Sequence, residues 1–272
     1  MSNKDNKAVS IFVMLLIVFG TYWLSRSFDT AKLTGDLRIA LGDDLAGAAM
    51  ALAAESPDSD ITVKDTSVSF LKMTDCCGTQ AEFALAAGEF DMAVLCPDAA
   101  EEFLRAEPDF VLVGGIIENA NVLIGRGAEP VKRIGYMNGR AVQESQLRDL
   151  YQGDVELYPM LAAALPYALE NQAVDAVVLD AAQGLAYDAD RITALPSEQP
   201  SQVLVAHEDT LQSSALSGFI ERYNEVALSL NGEGVRTFLS QVLAPEFNLE
   251  ESEELIERWK QMKTRFITLP SP

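Results

Sequence analysis

The sequence predicts an α/β protein of two doubly wound lobes, preceded by one N-terminal transmembrane helix and followed by a helical tail. Short apolar runs alternate with helical patterns in a β-α-β-α-β order that occurs twice. The chain then finishes almost entirely in helical patterns, and it begins with an apolar segment. The predicted divisions are an anchor or signal segment at 1–26, a linker at 27–36, a first lobe at 37–118 and 203–272, and a second lobe at 119–202.

The N-terminal segment is apolar from Ala8 to Leu24, which at ~1.5 Å per residue just spans a bilayer core. Lys4 and Lys7 precede it and favour a cytoplasmic N-terminus. No A-x-A-like cleavage site follows, so we interpret the segment as an uncleaved anchor. A signal peptide cut at an unobvious site is the alternative. Either interpretation places the remaining chain on the extracytoplasmic side, and the anchor predicts a single-pass protein of the cell membrane.

Acidic residues dominate the exported part. The whole chain has 20 basic and 41 acidic residues, and residues 1–35 hold four of the former and two of the latter. The remainder therefore carries 16 basic against 39 acidic side chains, a formal charge of −23. Such a field repels nucleic acid and anionic lipid surfaces and concentrates cations. Nucleic acid is thus excluded as a predicted partner.

In the first lobe, the first three of four predicted strands are each followed by a helix start. An acidic residue, Asp43 or Asp44, can cap an Ala-rich helix that ends near Glu55. Thr79 opens a helix that Gly88 stops, and Asp98 is the expected cap of the next one. The predicted strands are Leu37–Leu41, Ile61–Val63, Met92–Leu95 and Phe110–Val113.

The second lobe repeats this order, and the tail follows it. The predicted strands are Arg133–Tyr136, Val155–Tyr158 and Val174–Leu179, and the helices between them are Ala141–Tyr151 and Met160–Glu170. The chain returns through Val203–Ala206. The tail is then predicted as three helices without strands that pack back on the first lobe: Leu211–Leu230, Gly234–Leu243 and Leu249–Arg265.

Three stretches carry a resemblance to a known family: Gly35–Leu41, Ala86–Ala93 and Leu169–Val177. Together with the excursion at Ile116–Leu123 and the return near Gln202–Ala206, they resemble periplasmic binding proteins of the second type. The amino-acid sequences of these stretches are similar to those of the sulfonate and pyrimidine-precursor branch of ABC-importer substrate-binding proteins. The resemblance implies two lobes joined by a two-segment hinge, a small-molecule ligand, and a permease with its ATPase subunit as partners.

All three cysteines are expected on the cleft side. Cys76 and Cys77 precede the helix start at Thr79, and Cys96 ends a strand just before a helix. Ligands of open α/β sheets bind beyond the carboxyl ends of strands, and helix N-termini lower thiol pKa values. Asp75 and the overall acidity oppose that pKa shift. One alternative is a disulfide between Cys96 and either Cys76 or Cys77, and the other is that the cysteines are inert packing residues.

If the thiols bind a ligand, they favour a soft metal, because thiolates select soft cations. Zinc is disfavoured, since His207 is the only histidine in the sequence. Mercury, organomercury or an arsenical is the predicted cargo, with Cys76, Cys77 and Cys96 as metal ligands. A narrower resemblance agrees with this ranking: substrate-binding subunits of selenocysteine-associated organometal uptake systems have such a cysteine pair in this loop.

Polar residues at other predicted loop positions complete the candidate ligand-binding set. Each could instead serve as a helix cap or in a turn. The asparagine and arginine that open the second-lobe helix could hold an anion through backbone amides and a guanidinium. The set consists of Asp44, Asn121, Asn138, Arg140 and Asp180.

The favoured function is a non-catalytic, monomeric binding module that captures a ligand between two hinged lobes and presents it to a membrane permease. No Ser-His-Asp order, HExxH motif or P-loop occurs in the sequence, and no cofactor is required. A membrane-tethered sensor or thiol redox domain is the alternative. A cysteine-dependent enzyme on the same fold is a further one.

Overall fold

A computed structural model describes residues 37–55, 68–73, 79–126, 130–187, 191–195, 197, 199–247, 249–250 and 252–271. Four sequence predictions lie outside these residues: the N-terminal membrane segment, the linker at 27–36, the strand at Ile61–Val63 and the Cys76-Cys77 pair. Among the described helices, none is both long and apolar enough to cross a membrane.

The described strands form two mixed sheets, one for each lobe. The first has the order β11-β4-β10-β3-β1-β2 and the second has the order β7-β6-β8-β5-β9. This arrangement confirms the predicted α/β architecture. The strands are β1 Leu37–Gly42, β2 Val68–Met73, β3 Met92–Leu95, β4 Phe110–Glu118, β5 Asn121–Gly125, β6 Arg133–Met137, β7 Glu156–Met160, β8 Ala176–Asp180, β9 Arg191–Ala194, β10 Gln202–His207 and β11 Arg265–Phe266.

Helices follow the strands and cover the sheets. The α-helices are α1 Leu45–Glu55, α2 Thr79–Ala86, α3 Pro97–Ala106, α4 Ala141–Tyr151, α5 Leu165–Glu170, α6 Ala181–Ala186, α7 Ser214–Leu230, α8 Gly234–Phe238, α9 Ala244–Phe247 and α10 Glu253–Met262. A π-helical stretch, Leu239–Leu243, joins α8 to α9, and short 3₁₀ turns occupy Ala162–Ala164 and Glu208–Gln212.

Strand direction follows from how the chain crosses between the lobes. Strand β1 runs parallel to β2 and β3, and β6 runs parallel to β7 and β8, as crossover helices require. The returning β10 inserts antiparallel between β3 and β4, and β5 lies antiparallel to β8. The expectation of mostly parallel sheets was therefore wrong for the strands that enter and leave the second lobe.

Several sequence predictions need correction at the level of single elements. Strands β2, β5, β9 and β11 were not predicted, and β11 lies inside the tail that was expected to be free of strands. Met160 ends strand β7 instead of opening a helix, and the helix starts later with Pro166 in its first turn. Proline suits that position because its missing N–H has no acceptor there.

The C-terminal tail contacts both lobes. Helix α7 packs on α1, and β11 pairs with β4, which agrees with the prediction that the tail covers the first lobe. Helix α10 instead packs on β9 and α6 of the second lobe. Its Arg258 donates to the carbonyls of Gly184 and Tyr187 at the end of α6. The prediction that the whole tail packs on the first lobe was wrong for this helix.

Candidate functional site

A cavity of about 540 Å³ lies where the carboxyl ends of strands from both sheets face each other. This edge is where open α/β sheets bind ligands. Asn138 is exposed in the turn before α4 and is not part of the described wall, and Cys76 and Cys77 lie outside the described residues. The wall brings together five of the residues that the sequence singled out: Asp44, Cys96, Asn121, Arg140 and Asp180.

Asp44 is the buried acid at the start of α1, with only 4% of its surface exposed. Its Oδ1 accepts the backbone N–H of Gly47 at 2.8 Å, which is the capping bond expected of an Asp at this place. Its Oδ2 accepts a hydrogen bond from Nε2 of Gln202, the first residue of β10. The carboxylate is thus held by its own helix and by the strand that returns from the second lobe.

Gly47 lets α1 begin this close to the end of β1. A Cβ atom at this position would lie 2.0 Å from the carbonyl oxygen of Gly42, a distance that no side chain tolerates. Glycine removes that clash and allows the first turn of the helix to pack against the strand end. The position of Asp44 in the cavity wall depends on this contact.

Asp180 ends β8 and caps α6 on the opposite side of the cavity. Its Oδ1 accepts the N–H of Ala182 at 2.9 Å and also the N–H of Leu45 at 3.2 Å. The second bond crosses from the second lobe to the first turn of α1. Burial raises the pKa of the Asp180 carboxyl well above its ordinary value, and the nearby charge of Asp44 raises it further. Two acids therefore meet where two helix N-termini converge.

Asp98 forms a second link across the cavity. Its Oδ2 accepts the N–H of Val142, in the first turn of α4, at 3.5 Å. Burial raises the pKa of the Asp98 carboxyl, and the hydrogen bond from Val142 opposes that shift. Because Asp98 belongs to the first lobe and Val142 to the second, the lobes are bridged at this point as well.

Cys96, and not Asp98, is the N-cap of α3. Its Sγ accepts the N–H of Ala99 at 3.4 Å, and the residue is a free thiol with 7% of its surface exposed. Burial raises the pKa of this thiol to about 12, and the charges of Asp98 and Glu82 add to the increase. The helix N-terminus was expected to favour the thiolate. Desolvation outweighs that contribution, so Cys96 is a neutral capping thiol at physiological pH.

Asn121 takes part in an amide network on the second-lobe side of the cavity. Gln143 donates from Nε2 to Asn121 Oδ1 at 3.0 Å, and Gln143 Oε1 accepts the N–H of Met137 at 3.1 Å. Gln143 is 6% exposed. Arg140 stands beside this network as the residue before α4, and its side chain makes no capping bond. This side of the cavity therefore presents an ordered polar surface.

The remaining wall is largely apolar. Tyr187 is oriented by its hydroxyl, which donates to the carbonyl of Pro166 at 3.2 Å, and by Arg126, whose guanidinium lies 5.5 Å from the ring centroid. Such a surface suits the hydrocarbon part of a small molecule. Other apolar members of the wall include Met137, Val142, Leu165, Leu179 and Phe247.

Sequence reasoning missed two of the buried polar residues in this wall, Gln143 and Gln202. Gln143 lies in the first turn of a helix that was predicted, where periodicity does not separate a ligand contact from a surface residue. Gln202 precedes the apolar return strand. Since β10 is antiparallel to β3, its first residue lies at the carboxyl end of β3. A correct strand direction would have placed Gln202 in the cleft.

The fold matches solved structures of substrate-binding proteins. The periplasmic aliphatic sulphonate binding protein SsuA of Escherichia coli superposes with a TM-score of 0.62 at 17% identity, over 86% of this chain and 84% of that one. A zinc-bound ligand-binding component of an ABC-type import system from Staphylococcus aureus gives 0.63 at 15% identity, over 86% and 85%. A putative methionine-binding lipoprotein of Bacillus subtilis gives 0.59 at 12% identity, over 85% and 98%.

The chain has their two-lobed α/β fold. At these identities the likeness shows the fold alone, and the ligands of the three neighbours differ from one another. No protein-family model matches the sequence, and no curated protein matches it either. The ligand must therefore be inferred from the residues of the cavity itself.

Proposed function

We propose that this protein is the extracytoplasmic substrate-binding protein of an ABC importer and captures a small ligand between its lobes. The observation that carries the proposal is the cavity of about 540 Å³ whose wall comes from both lobes. Two hydrogen bonds cross it, from Leu45 to Asp180 and from Val142 to Asp98. A ligand held on both sides favours the closed arrangement, which is how binding drives closure in two-lobed proteins.

The moving parts of this proposal are residues 37–118 with 203–272, and residues 119–202. The chain crosses between them near Asn119, which has a left-handed backbone (φ 55°), and near Ser201. Ser201 Oγ accepts the N–H of Ala120 at 3.0 Å, so the two crossing segments are held side by side. A short pair of adjacent crossings can act as a hinge, because few backbone dihedrals must change for the lobes to rotate.

The partners follow from the same role. A permease and its ATPase subunit would receive the cargo, and the apolar segment in residues 1–26 would tether a monomeric binding domain to the outer face of the cell membrane. The binding protein would perform no chemistry on the cargo. Intact-mass analysis of protein extracted from its native membrane is expected to retain residues 1–24, whereas a shorter soluble product would show a cleaved signal peptide.

The soft-metal version of the cargo depends on the cysteine pair. Cys96 gives it little support, because its thiol is neutral and already accepts a hydrogen bond from Ala99. Within the described part of the chain, no group of three or more His, Cys, Asp or Glu side chains could hold a metal ion. With mercuric chloride as the probe, Cys77→Ser should abolish thermal stabilisation and Cys96→Ser should preserve it. Stabilisation that survives Cys77→Ser would remove this version.

The decisive experiment for capture compares the protein with and without its own cargo. Native mass spectrometry of gently purified full-length protein should show a bound small mass, and small-angle scattering should show a smaller radius with the cargo than after its removal. Ala163→Trp should abolish both effects, because Ala163 lines the cavity and is exposed enough to accept a large side chain. Ala164→Trp, the exposed neighbour outside the wall, is the matched control.

Cargo binding without compaction would instead favour a membrane-tethered sensor domain. Equal binding by the Ala163 and Ala164 variants would show that the ligand lies elsewhere, and the capture proposal would then fail.

A further inference from the structure

We propose that the cargo is a small organic cation whose protonated nitrogen carries N–H donors, such as an ammonium or amidinium, attached to an apolar body. This inference rests on the proposed function, since it requires a ligand in the cleft. The positive head would lie between Asp44 and Asp180 and donate to Gln202. Three independent features of the cavity support this assignment: its balance of charge, an acceptor that lacks a donor, and the division of the wall into a polar and an apolar part.

The first feature is charge. Among the described residues of the wall, four are acidic and one is basic. The basic residue is Arg140, and the acidic ones are Asp43, Asp44, Asp98 and Asp180. A low-dielectric cleft with this balance attracts cations and opposes sulfonates or carboxylates.

The second feature is Gln202, which is 6% exposed and lines the cavity. Its Nε2 donates to Asp44, so the orientation of its amide is fixed and its Oε1 is left as an acceptor. This oxygen is buried and has no hydrogen-bond partner among the described residues. A buried acceptor without a donor costs free energy, and an N–H group supplied by the cargo would remove that cost.

Asp180 offers a further acceptor in the same cavity. Both of its hydrogen bonds go to Oδ1, from Ala182 and Leu45, and no other described residue donates to Oδ2. Helix capping therefore explains one oxygen of this carboxylate and not the other. The burial of Asp180 close to Asp44 is unfavourable while both are charged, and a cation between them would offset their repulsion.

The third feature is the apolar remainder of the wall, formed by residues such as Leu165, Leu179 and Phe247. A bare metal ion would leave this surface without a partner. A cation with a hydrocarbon or aromatic body would bury it against Tyr187, whose ring is held in place by Pro166 and Arg126.

The test uses four probes that share a benzene ring and differ in the head group. Benzylamine and benzamidine are cations with N–H donors, phenyltrimethylammonium is a cation without them, and benzenesulfonate is an anion. Isothermal titration and thermal unfolding of the full-length protein are expected to show binding of the first two, weaker binding of the third and none of the fourth. Phenyltrimethylammonium that binds as tightly as benzylamine would overturn the role given to Gln202.

The variants locate the head group. Asp44→Asn and Gln202→Met should each weaken benzylamine binding about tenfold or more, since each removes a charge or an acceptor. Asp154→Asn, in an exposed turn before β7 at the opposite edge of the second sheet, is the matched control and should bind as the unaltered protein does. Circular dichroism of each variant checks that the fold is retained, so that lost binding can be assigned to the cleft.

The outcomes separate this inference from capture itself. Benzenesulfonate that binds at least as well as benzylamine, or an Asp44→Asn variant that binds benzylamine unchanged, would overturn the cationic cargo. If Ala163→Trp still blocks the binding of whichever of these two probes the protein binds, capture in the cleft would stand. Failure of all four probes, together with a co-purified cargo that is anionic or neutral, would likewise overturn the cation and leave capture intact.

Discussion

Asp175 lies just before strand β8 and Asp180 is its last residue, yet the surroundings of these two acids are opposite. Asp175 receives the guanidinium of Arg133 at 2.8 Å and the backbone N–H groups of Lys132 and Arg133, which together hold the pKa of its carboxyl below the ordinary value. Asp180 has a raised pKa because of burial and the charge of Asp44. One acid stabilises the fold, and the other costs stability at the edge where a ligand would bind.

The first lobe repeats the stabilising arrangement. Arg38, in β1, donates to Asp91, just before β3, at 2.6 Å, and it also donates to the carbonyl of Gly88 at 2.9 Å. Arg133 donates to the carbonyl of Gln172 at 3.1 Å in the corresponding place of the second lobe. The amino edges of both sheets are thus closed by an Arg–Asp pair. The carboxyl edges contribute acids to the cavity, which is the division expected when stability and binding occupy different edges.

The largest expected effect that separates the two acids is on ligand binding. Asp180→Asn should weaken benzylamine binding about tenfold or more, because it removes a charged acceptor from the cleft. Asp175→Asn should leave that binding unchanged, because its side chain faces Arg133 at the other edge of the sheet. Isothermal titration of both variants measures the difference, and equal losses would mean that Asp180 acts only through the stability of the lobe.

The next effect is on stability at neutral pH, where the two variants should change in opposite directions. Asp180→Asn should raise the free energy of unfolding by about 0.5–2 kcal/mol, as other substitutions that relieve a destabilising site do. The new amide oxygen can still accept from Ala182 and Leu45. Asp175→Asn should lower it by about 1 kcal/mol or less, because its partner Arg133 is partly exposed and screened by solvent. Urea unfolding monitored by circular dichroism provides both values.

The pH dependence sharpens this contrast. A carboxyl with a raised pKa retains its proton when the unfolded chain has lost it, so the contribution of Asp180 falls as pH rises from the ordinary carboxyl pKa to the raised value. Asp175 contributes stability above the ordinary carboxyl pKa, and this is lost as pH falls through its lowered value. For each variant, the difference in the free energy of unfolding from the unaltered protein should thus become smaller in acid. If the stability difference between Asp180→Asn and the unaltered protein persists at low pH, packing and not charge would be its cause.

The smallest expected effect concerns Cys96. A serine hydroxyl can accept the N–H of Ala99 in place of Sγ, so Cys96→Ser should change the free energy of unfolding by less than about 1 kcal/mol. With Cys76 and Cys77 replaced by serine, the Cys96 thiol should also react slowly with iodoacetamide at neutral pH, because a pKa of about 12 leaves little thiolate. Rapid alkylation would show that the thiol is more accessible than its burial indicates.

Local pattern was sufficient for most of the elements that surround the site. The run Leu37–Leu41 and the stop at Gly88, whose φ is +70°, were predicted because apolar periodicity and left-handed glycine are properties of a few adjacent residues. Strand β11 was missed for the opposite reason. It is two residues long and exists because Arg265 and Phe266 pair with the end of β4, far away in sequence.

The sequence alone determined that this chain alternates strands and helices in two lobes, and that acids and a cysteine follow the strand ends. The tertiary structure decided which of these acids and which other residues lie close together in the cavity. Asp44 and Asp180 are far apart along the chain, and only the crossing of the lobes links the N–H of Leu45 to Asp180. The antiparallel insertion of β10 brought Gln202 beside Asp44, and burial made Cys96 a cap. Charge, burial and hydrogen bonding at a site depend on neighbours distant in sequence, and for that reason local pattern could name candidates without assigning their roles.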